Sequence, residues 1–399
     1  MKLRLKLCVV AAAALVLPAM SYAQFNFNLA GEQVQVHSFA SQGFAKSDEN
    51  NFLTMNTESG SFALTDGGVN MSSQLTDRFR IGAQMYFRNI GQLGQWNPKL
   101  DWALADYRFN HWFGVRAGKV KTVLGLYNDT QDIDALQTFA LLPQGIYPVD
   151  LRDNFVAHTG VDFYGEIPAF GKSNVRYTVY AGIRSDDPDG GYYYGAKAAG
   201  TPLSSLGGNA TGLDLRWETP VHGLTVGISQ MAITAHATGN FTKLKNAPYF
   251  LFSRKPEEIT SIYVDYTVGK WHMTGEARRD KATREATVMG NPVLVSDPST
   301  LGGYGTVAYR ATKWVELGTY HSWFYVDRPR TAGSAADHIF DQAVTARFDL
   351  NKFWYAKLEG HFMNGYGDTY SSHGFYTANN PMGLKPTTNM ILIRTGVSF

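Results

Sequence analysis

Six arginines offer the first chemistry in this chain. Arg80, Arg88, Arg108, Arg116, Arg176 and Arg184 each fall on the polar side of a segment whose positions alternate between apolar and polar. Arginine stays charged at any physiological pH and presents five donors in a rigid fork, so such a set would make a fixed cationic wall. The stretch 121–153 holds Asp129, Asp132, Asp134, Asp150 and Asp153 against Lys121 and Arg152, a balance of 2 − 5 = −3. Facing the arginines across a water-filled passage, those carboxylates would create a field that orients and sorts small ions. The plainer alternative for any one arginine is a cross-strand pair with a neighbouring carboxylate.

Other candidate chemistry is weaker. Ser185-Asp186-Asp187-Pro188-Asp189-Gly190-Gly191 has the oxygen-rich look of a calcium loop, yet its first position is Ser and the twelfth is Ala196, so it fails as an EF-hand. His37, His111, His158, His222, His236, His272, His321, His338, His361 and His373 show no close metal-ligand spacing. His321-Ser322 lacks a third partner by motif for nucleophilic catalysis. Gly302-Gly303-Tyr304-Gly305 has no following Lys and is no phosphate cradle, and Asn209-Ala210-Thr211 and Asn240-Phe241-Thr242 are incidental glycosylation matches. No catalytic residue, metal site or cofactor is expected.

The first 23 residues stand apart from the rest. Lys2, Arg4 and Lys6 precede an apolar stretch from Leu7 to Met20, and Ser21-Tyr22-Ala23 supplies small residues at −3 and −1, which predicts an export signal cleaved before Gln24. The whole chain has 36 Lys and Arg against 34 Asp and Glu, so without the leader's three cations the balance is 33 − 34 = −1. A nucleic-acid partner is disfavoured at that charge. Cys8, the only cysteine, leaves with the leader, which removes disulfides and thiolate chemistry from the mature chain.

The elements that position the arginines are strands. In Arg78 to Ile90, Phe79, Ile81, Ala83, Met85 and Phe87 share one face, and Arg78, Arg80, Gly82, Gln84, Tyr86 and Arg88 share the other. About sixteen such segments are predicted, centred near residues 39, 68, 84, 105, 116, 161, 179, 214, 227, 263, 275, 307, 319, 345, 359 and 394. Short connections, such as Thr76-Asp77, Asn110-His111 and Gly269-Lys270, alternate with long ones at about 46–60, 90–98, 120–153, 185–208, 236–257, 280–300, 328–337 and 366–388. Several short turns lead into Trp112, Trp271, Trp314 or Phe353-Trp354, the pattern of an interfacial aromatic girdle. No apolar run of 18 residues follows the leader, and the chain ends in alternating residues that finish at Phe399. The expected fold is therefore all-β: a transmembrane antiparallel barrel over 24–399, with 121–153 folded inward as a constricting third loop and Gln131 to Leu142 as a short helix. A soluble sandwich would also alternate, but would bury its apolar face.

Ser41-Gln42-Gly43-Phe44, Ser72 to Asp77, Leu100 to Tyr107, Val115 to Lys121 and Gly125 to Asn128 together resemble proteobacterial porins related to the phosphate-selective porin family, most clearly over 36–185. The resemblance implies a sixteen-stranded homotrimer with an inward third loop, and it raises the expectation of anion passage. Phosphate-selective members carry several lysines in that loop, whereas here Lys121 is the only one. The expected function is a passive diffusion channel of a Gram-negative outer membrane, open to small hydrophilic solutes and inorganic ions and set among outer-membrane lipid and lipopolysaccharide. Alternatives are an anion- or phosphate-selective porin and a structural or adhesive barrel.

Overall fold

The computed structural model describes residues 25–29, 31–184, 186–326, 333–367 and 374–399, so the leader lies outside the described residues. Its strands in chain order are β1 (Phe25–Leu29), β2 (Glu32–Ser47), β3 (Ser61–Thr76), β4 (Phe79–Ile90), β5 (Lys99–Asn110), β6 (Phe113–Lys121), β7 (Ala157–Pro168) and β8 (Asn174–Arg184). Next come β9 (Leu203–Gly207), β10 (Asn209–Glu218), β11 (Leu224–Ile233), β12 (His236–Phe241), β13 (Ala247–Val268) and β14 (Trp271–Val288). The last are β15 (Asn291–Ser296), β16 (Ser299–Arg310), β17 (Val315–Tyr325), β18 (His338–Asp349), β19 (Trp354–Asn364) and β20 (Thr387–Ser398).

Sixteen of these twenty strands, all but β1, β9, β12 and β15, pair antiparallel in a ring that β20 closes onto β2. Each of the sixteen anticipated centres falls inside one ring strand. Alternation decides which face points where. Val69, Met71, Ile81, Met85, Val179, Ile228, Ile262, Val307, Leu358 and Ile393 are exposed outward, while Asp106, Asp162, Asp214, Glu276, Asp341 and Glu359 are buried inside the ring. A sandwich in water would do the reverse, so the apolar solvent around this barrel is lipid. Trp112, Trp271, Trp314 and Trp354 are exposed at the short-turn end, as a girdle at one interface requires.

Two expectations need correction. The stretches near 236–257 and 280–300 are largely strand, because β13 and β14 run 22 and 18 residues and rise past the ring. Together with β9, β12 and β15 they form a raised sheet. Ala237, Ala247, Tyr249, Leu251, Ala286 and Val288 pack as its own apolar cluster. The region from Gln131 to Leu142 is not a helix but an irregular strip with one 3-10 turn, Asp134–Leu136. Its carbonyls are taken by barrel cations in place of an intrahelical ladder, as shown next. The one α-helix among the described residues is α1 (Gly191–Ala198), in the fourth long connection.

Candidate constriction site

The connection between β6 and β7 leaves the wall at Thr122 and crosses the ring. On the far side Lys357 Nζ donates to the Asp134 carboxylate at 2.9 Å and to the carbonyls of Asp134 and Phe139 at 2.8 and 2.9 Å. Arg347 donates to the carbonyls of Ala135 and Gln137 at 2.8 and 2.6 Å. Arg394 reaches the Ala140 carbonyl at 2.8 Å and also holds Asp66 at 2.8 Å. The buried Glu359 carboxylate accepts the backbone amides of Ala140 and Leu141 at 2.8 and 3.0 Å. Arg347, Lys357 and Arg394 stand directly opposite one another on β18, β19 and β20. Like charges so placed repel, and the loop's Asp134 and carbonyls offset that repulsion.

The loop's first half is tied to another sector. Gly125 donates to Ser229 at 2.9 Å, Leu126 donates to Glu276 at 3.2 Å, and Tyr147 hydrogen-bonds Glu276 through its hydroxyl. Gly125 has φ +65°, and an added Cβ there would meet the Glu276 carboxylate at 2.1 Å, so this passage requires glycine. Above the loop, Phe52, Leu53, Met55, Leu93, Ala140, Leu141 and Phe375 bury one another in an apolar cluster contributed by four different connections. On the other side, Ala135 of the loop lines a cavity of about 410 Å³ together with His37, Arg347, Asp349, Tyr355 and Phe399.

The ten anticipated site residues divide into groups. Arg80 and Arg116 meet at one carboxylate, each 3.4 Å from Asp106. Arg108 lies beside them, 5.8 Å from the Tyr164 ring centroid. Arg176 pairs with Glu218 at 2.5 Å, also at the short-turn end. Arg88 sits eight residues beyond Arg80, about 26 Å along the strand, where it pairs with Asp153 and donates to the Val149 carbonyl at 2.7 Å. Arg184 pairs with Asp186 at 2.9 Å. Lys121 pairs with Asp132 at 2.5 Å, Asp129 lies 3.9 Å from Arg216, and Asp134 is held by Lys357 as above. The arginines thus occupy two depths, and most are already paired. Burial alone would raise the Asp134 carboxyl, but Arg394 and Lys357 outweigh it and hold the group below its ordinary range. Burial pushes the Asp150 carboxyl up to about 6, with Tyr376 as its hydrogen-bond partner at 2.6 Å.

Period-two alternation puts Arg347, Arg394, Glu276 and Glu359 on inward faces, but nothing in their spacing says that a loop from β6 reaches them. Lys99 closes the acidic turn by binding Asp187 at 2.9 Å and Asp189 at 3.0 Å, so an ammonium sits where calcium was considered. No group of three His, Asp or Glu among the described residues is placed to hold a metal ion.

A closed sixteen-stranded antiparallel barrel defines an architectural class, and comparison with solved structures gives it members. OmpT of Vibrio cholerae matches with a TM-score of 0.58 at 11% identity, covering 94% of this chain and all of that one; it has also been solved in a trimer form. The anion-selective porin from Comamonas acidovorans matches with a TM-score of 0.56 at 10% identity, covering 92% of this chain and 100% of that one. Salmonella typhi OmpF matches with a TM-score of 0.55 at 11% identity, covering 94% and 100%. At these identities the likeness is one of fold. No family model matches the chain, and no curated protein matches it in sequence.

Proposed function

We propose that this chain is a passive diffusion porin of a Gram-negative outer membrane, exported by cleavage before Gln24 and assembled as a homotrimer. One observation carries the reading: the ring closes with apolar side chains outward and charged ones inward, and the loop between β6 and β7 reaches across its interior to Lys357. Solutes would pass by electrodiffusion, sorted by the width and charge left between loop and wall, with no cofactor or catalytic step. The porins among its structural neighbours support the same reading, and the trimer form of OmpT, another neighbour, supports the oligomeric state. Purified protein in a planar bilayer under a potassium chloride gradient should give discrete conductance steps, and their reversal potential reports ion preference. A folded barrel that gives none would defeat the reading. It would favour a structural or adhesive barrel instead, for which the apolar cluster of Phe52, Leu53, Leu93, Leu141 and Phe375 beneath the long connections would be the platform.

A further inference from the structure

We propose that a cavity among the long connections at the mouth of the barrel binds a neutral saccharide, held by Tyr193, Tyr194, Gln92 and Gln95. The inference goes beyond the porin reading, because such a site would take its ligand whether or not the barrel conducts.

The cavity has a volume of about 580 Å³, inside the ~300–1,000 Å³ range of small-molecule sites. Three connections build it. The one between β4 and β5 supplies Gln92 and Gln95, the one between β8 and β9 supplies Asp189 and α1, and the one between β19 and β20 supplies Ala378. Hydrogen bonds lock these walls together. The Gly94 amide donates to the Asp189 carbonyl at 3.0 Å, and the Tyr194 hydroxyl donates to Asn379 Oδ1 at 2.7 Å. The Tyr194 ring also meets Tyr376 edge-on, with centroids 5.1 Å apart. On α1, Tyr193 and Lys197 lie one turn apart, as do Tyr194 and Ala198, so one side of the helix lines the cavity.

The lining chemistry selects the ligand class. The two charged residues that line the cavity, Asp189 and Lys197, have opposite signs, so it is neutral as a whole. The Asp189 carboxylate is already taken by Asn97 Nδ2 at 2.8 Å and Lys99 Nζ at 3.0 Å. That set matches no small ion. What remains is two aromatic rings and two side-chain amides. A sugar ring has apolar C–H faces that can lie on tyrosine, and a rim of hydroxyls that both donate and accept. A glutamine amide answers both functions, with two donors and an oxygen acceptor. Gln92 and Gln95 are exposed and Tyr193 and Tyr194 half-buried, so all four are within reach of a ligand.

The backbone is strained where the amides are presented. Gln95 and Trp96 hold left-handed φ values of +46° and +65°, which side chains other than glycine rarely adopt. The connection is held in this form: the Trp96 amide donates to the Arg88 carbonyl at 3.0 Å, and the Trp96 ring stacks on Phe87. Gly94, at φ +74°, lies so close to Arg88 that an added Cβ would sit 2.5 Å from its carbonyl oxygen. Strain of this kind clusters at ligand clamps, and here it sets Gln95 against the cavity.

The test uses the mature barrel folded in an amine-oxide detergent, which carries no sugar headgroup. Maltose, lactose, cellobiose and di-N-acetylchitobiose are offered separately and read by saturation-transfer NMR. At least one should receive saturation, strongest at its ring C–H protons and saturable in concentration. Tyr193→Phe keeps the ring and should leave that Kd within about twofold, whereas Tyr193→Ala should raise it about fivefold or more. Gln95→Gly removes the amide and relieves the left-handed backbone, so it should raise Kd about fivefold while the melting temperature holds or rises. No transfer to any of the four sugars, or unchanged Kd in both Tyr193→Ala and Gln95→Gly, would overturn the site. Tighter binding of adenosine, whose base could use the same rings and amides, would overturn the saccharide assignment. Conductance steps in planar bilayers are scored separately, so the loss of the porin reading would leave this result standing.

Discussion

At the scale of single residues, the interior of this barrel is governed by which charges find partners. Asp150 is the clearest exception to full pairing. One of its oxygens accepts the Tyr376 hydroxyl, the other is buried without a partner, and its backbone carbonyl accepts the amide of Gly191. The residue thus joins the third connection to the fourth and the eighth. Because burial places its carboxyl at about 6, above its ordinary 3.8, the joint is most stable below the ordinary value and loses that stability as pH rises through about 6. A shift of this size corresponds to at most about 3 kcal/mol. Hydrogen exchange near Tyr376, corrected for the intrinsic rate, should therefore lose protection between pH 4 and 7, and Asp150→Asn should flatten the profile. Parallel profiles for the two proteins would rule the carboxyl out as the cause. The inward direction of the arginines was legible from period-two alternation. Their pairing was not, because a partner depends on register and depth: Arg80 and Arg88 share a face yet serve opposite ends of β4.

At the scale of elements, the ring strands were legible because each has one face in lipid and one facing inward, which forces strict alternation. β13 escaped where it rises above the ring, since residues 247–252 are apolar on both faces, with Phe250 exposed and Tyr249 and Leu251 buried, so no apolar–polar contrast marks the strand there. The strip from Gln131 to Leu142 reads as a helix locally, but long-range bonds decide its shape, and no local pattern encodes Lys357, Arg347 and Arg394 reaching its carbonyls. These contacts make Asp134 the keystone of the loop's docking. Asp134→Asn keeps the volume and removes the charge, leaving Lys357 with only carbonyl partners while Arg347 keeps Asp349 and Arg394 keeps Asp66. Breaking a buried pair in this way costs about 3–5 kcal/mol. The variant should unfold at lower denaturant, expose the loop to protease near Leu136, which is already 63% exposed, and show larger and noisier conductance steps. Wild-type values for both denaturation and cleavage would mean that the backbone contacts alone hold the loop.

At the scale of the whole molecule, the ring is closed by the two strands most distant in sequence. β20 pairs with β2 from Phe39 opposite Ser398 to Ser47 opposite Met390, and Ser38 and Phe399 exchange backbone hydrogen bonds at 3.0 and 2.8 Å. Phe399 also stacks on Phe353 with centroids 5.2 Å apart. Until this seam forms, β2 and β20 present open edges to an apolar solvent, where each unsatisfied backbone group costs several kcal/mol. Closure joins residues more than three hundred positions apart, so loop entropy makes it a late and slow step. The seam should therefore act as an all-or-none requirement. Removing 387–399 should abolish the folded form, read as loss of the heat-dependent mobility shift on gels after refolding into detergent, while Phe399→Ala should refold with a slower rate to the same end state. If the truncated chain still gave the shift, the remaining strands would have to close on themselves as a smaller ring, and the pairing of β20 with β2 would be dispensable for the barrel.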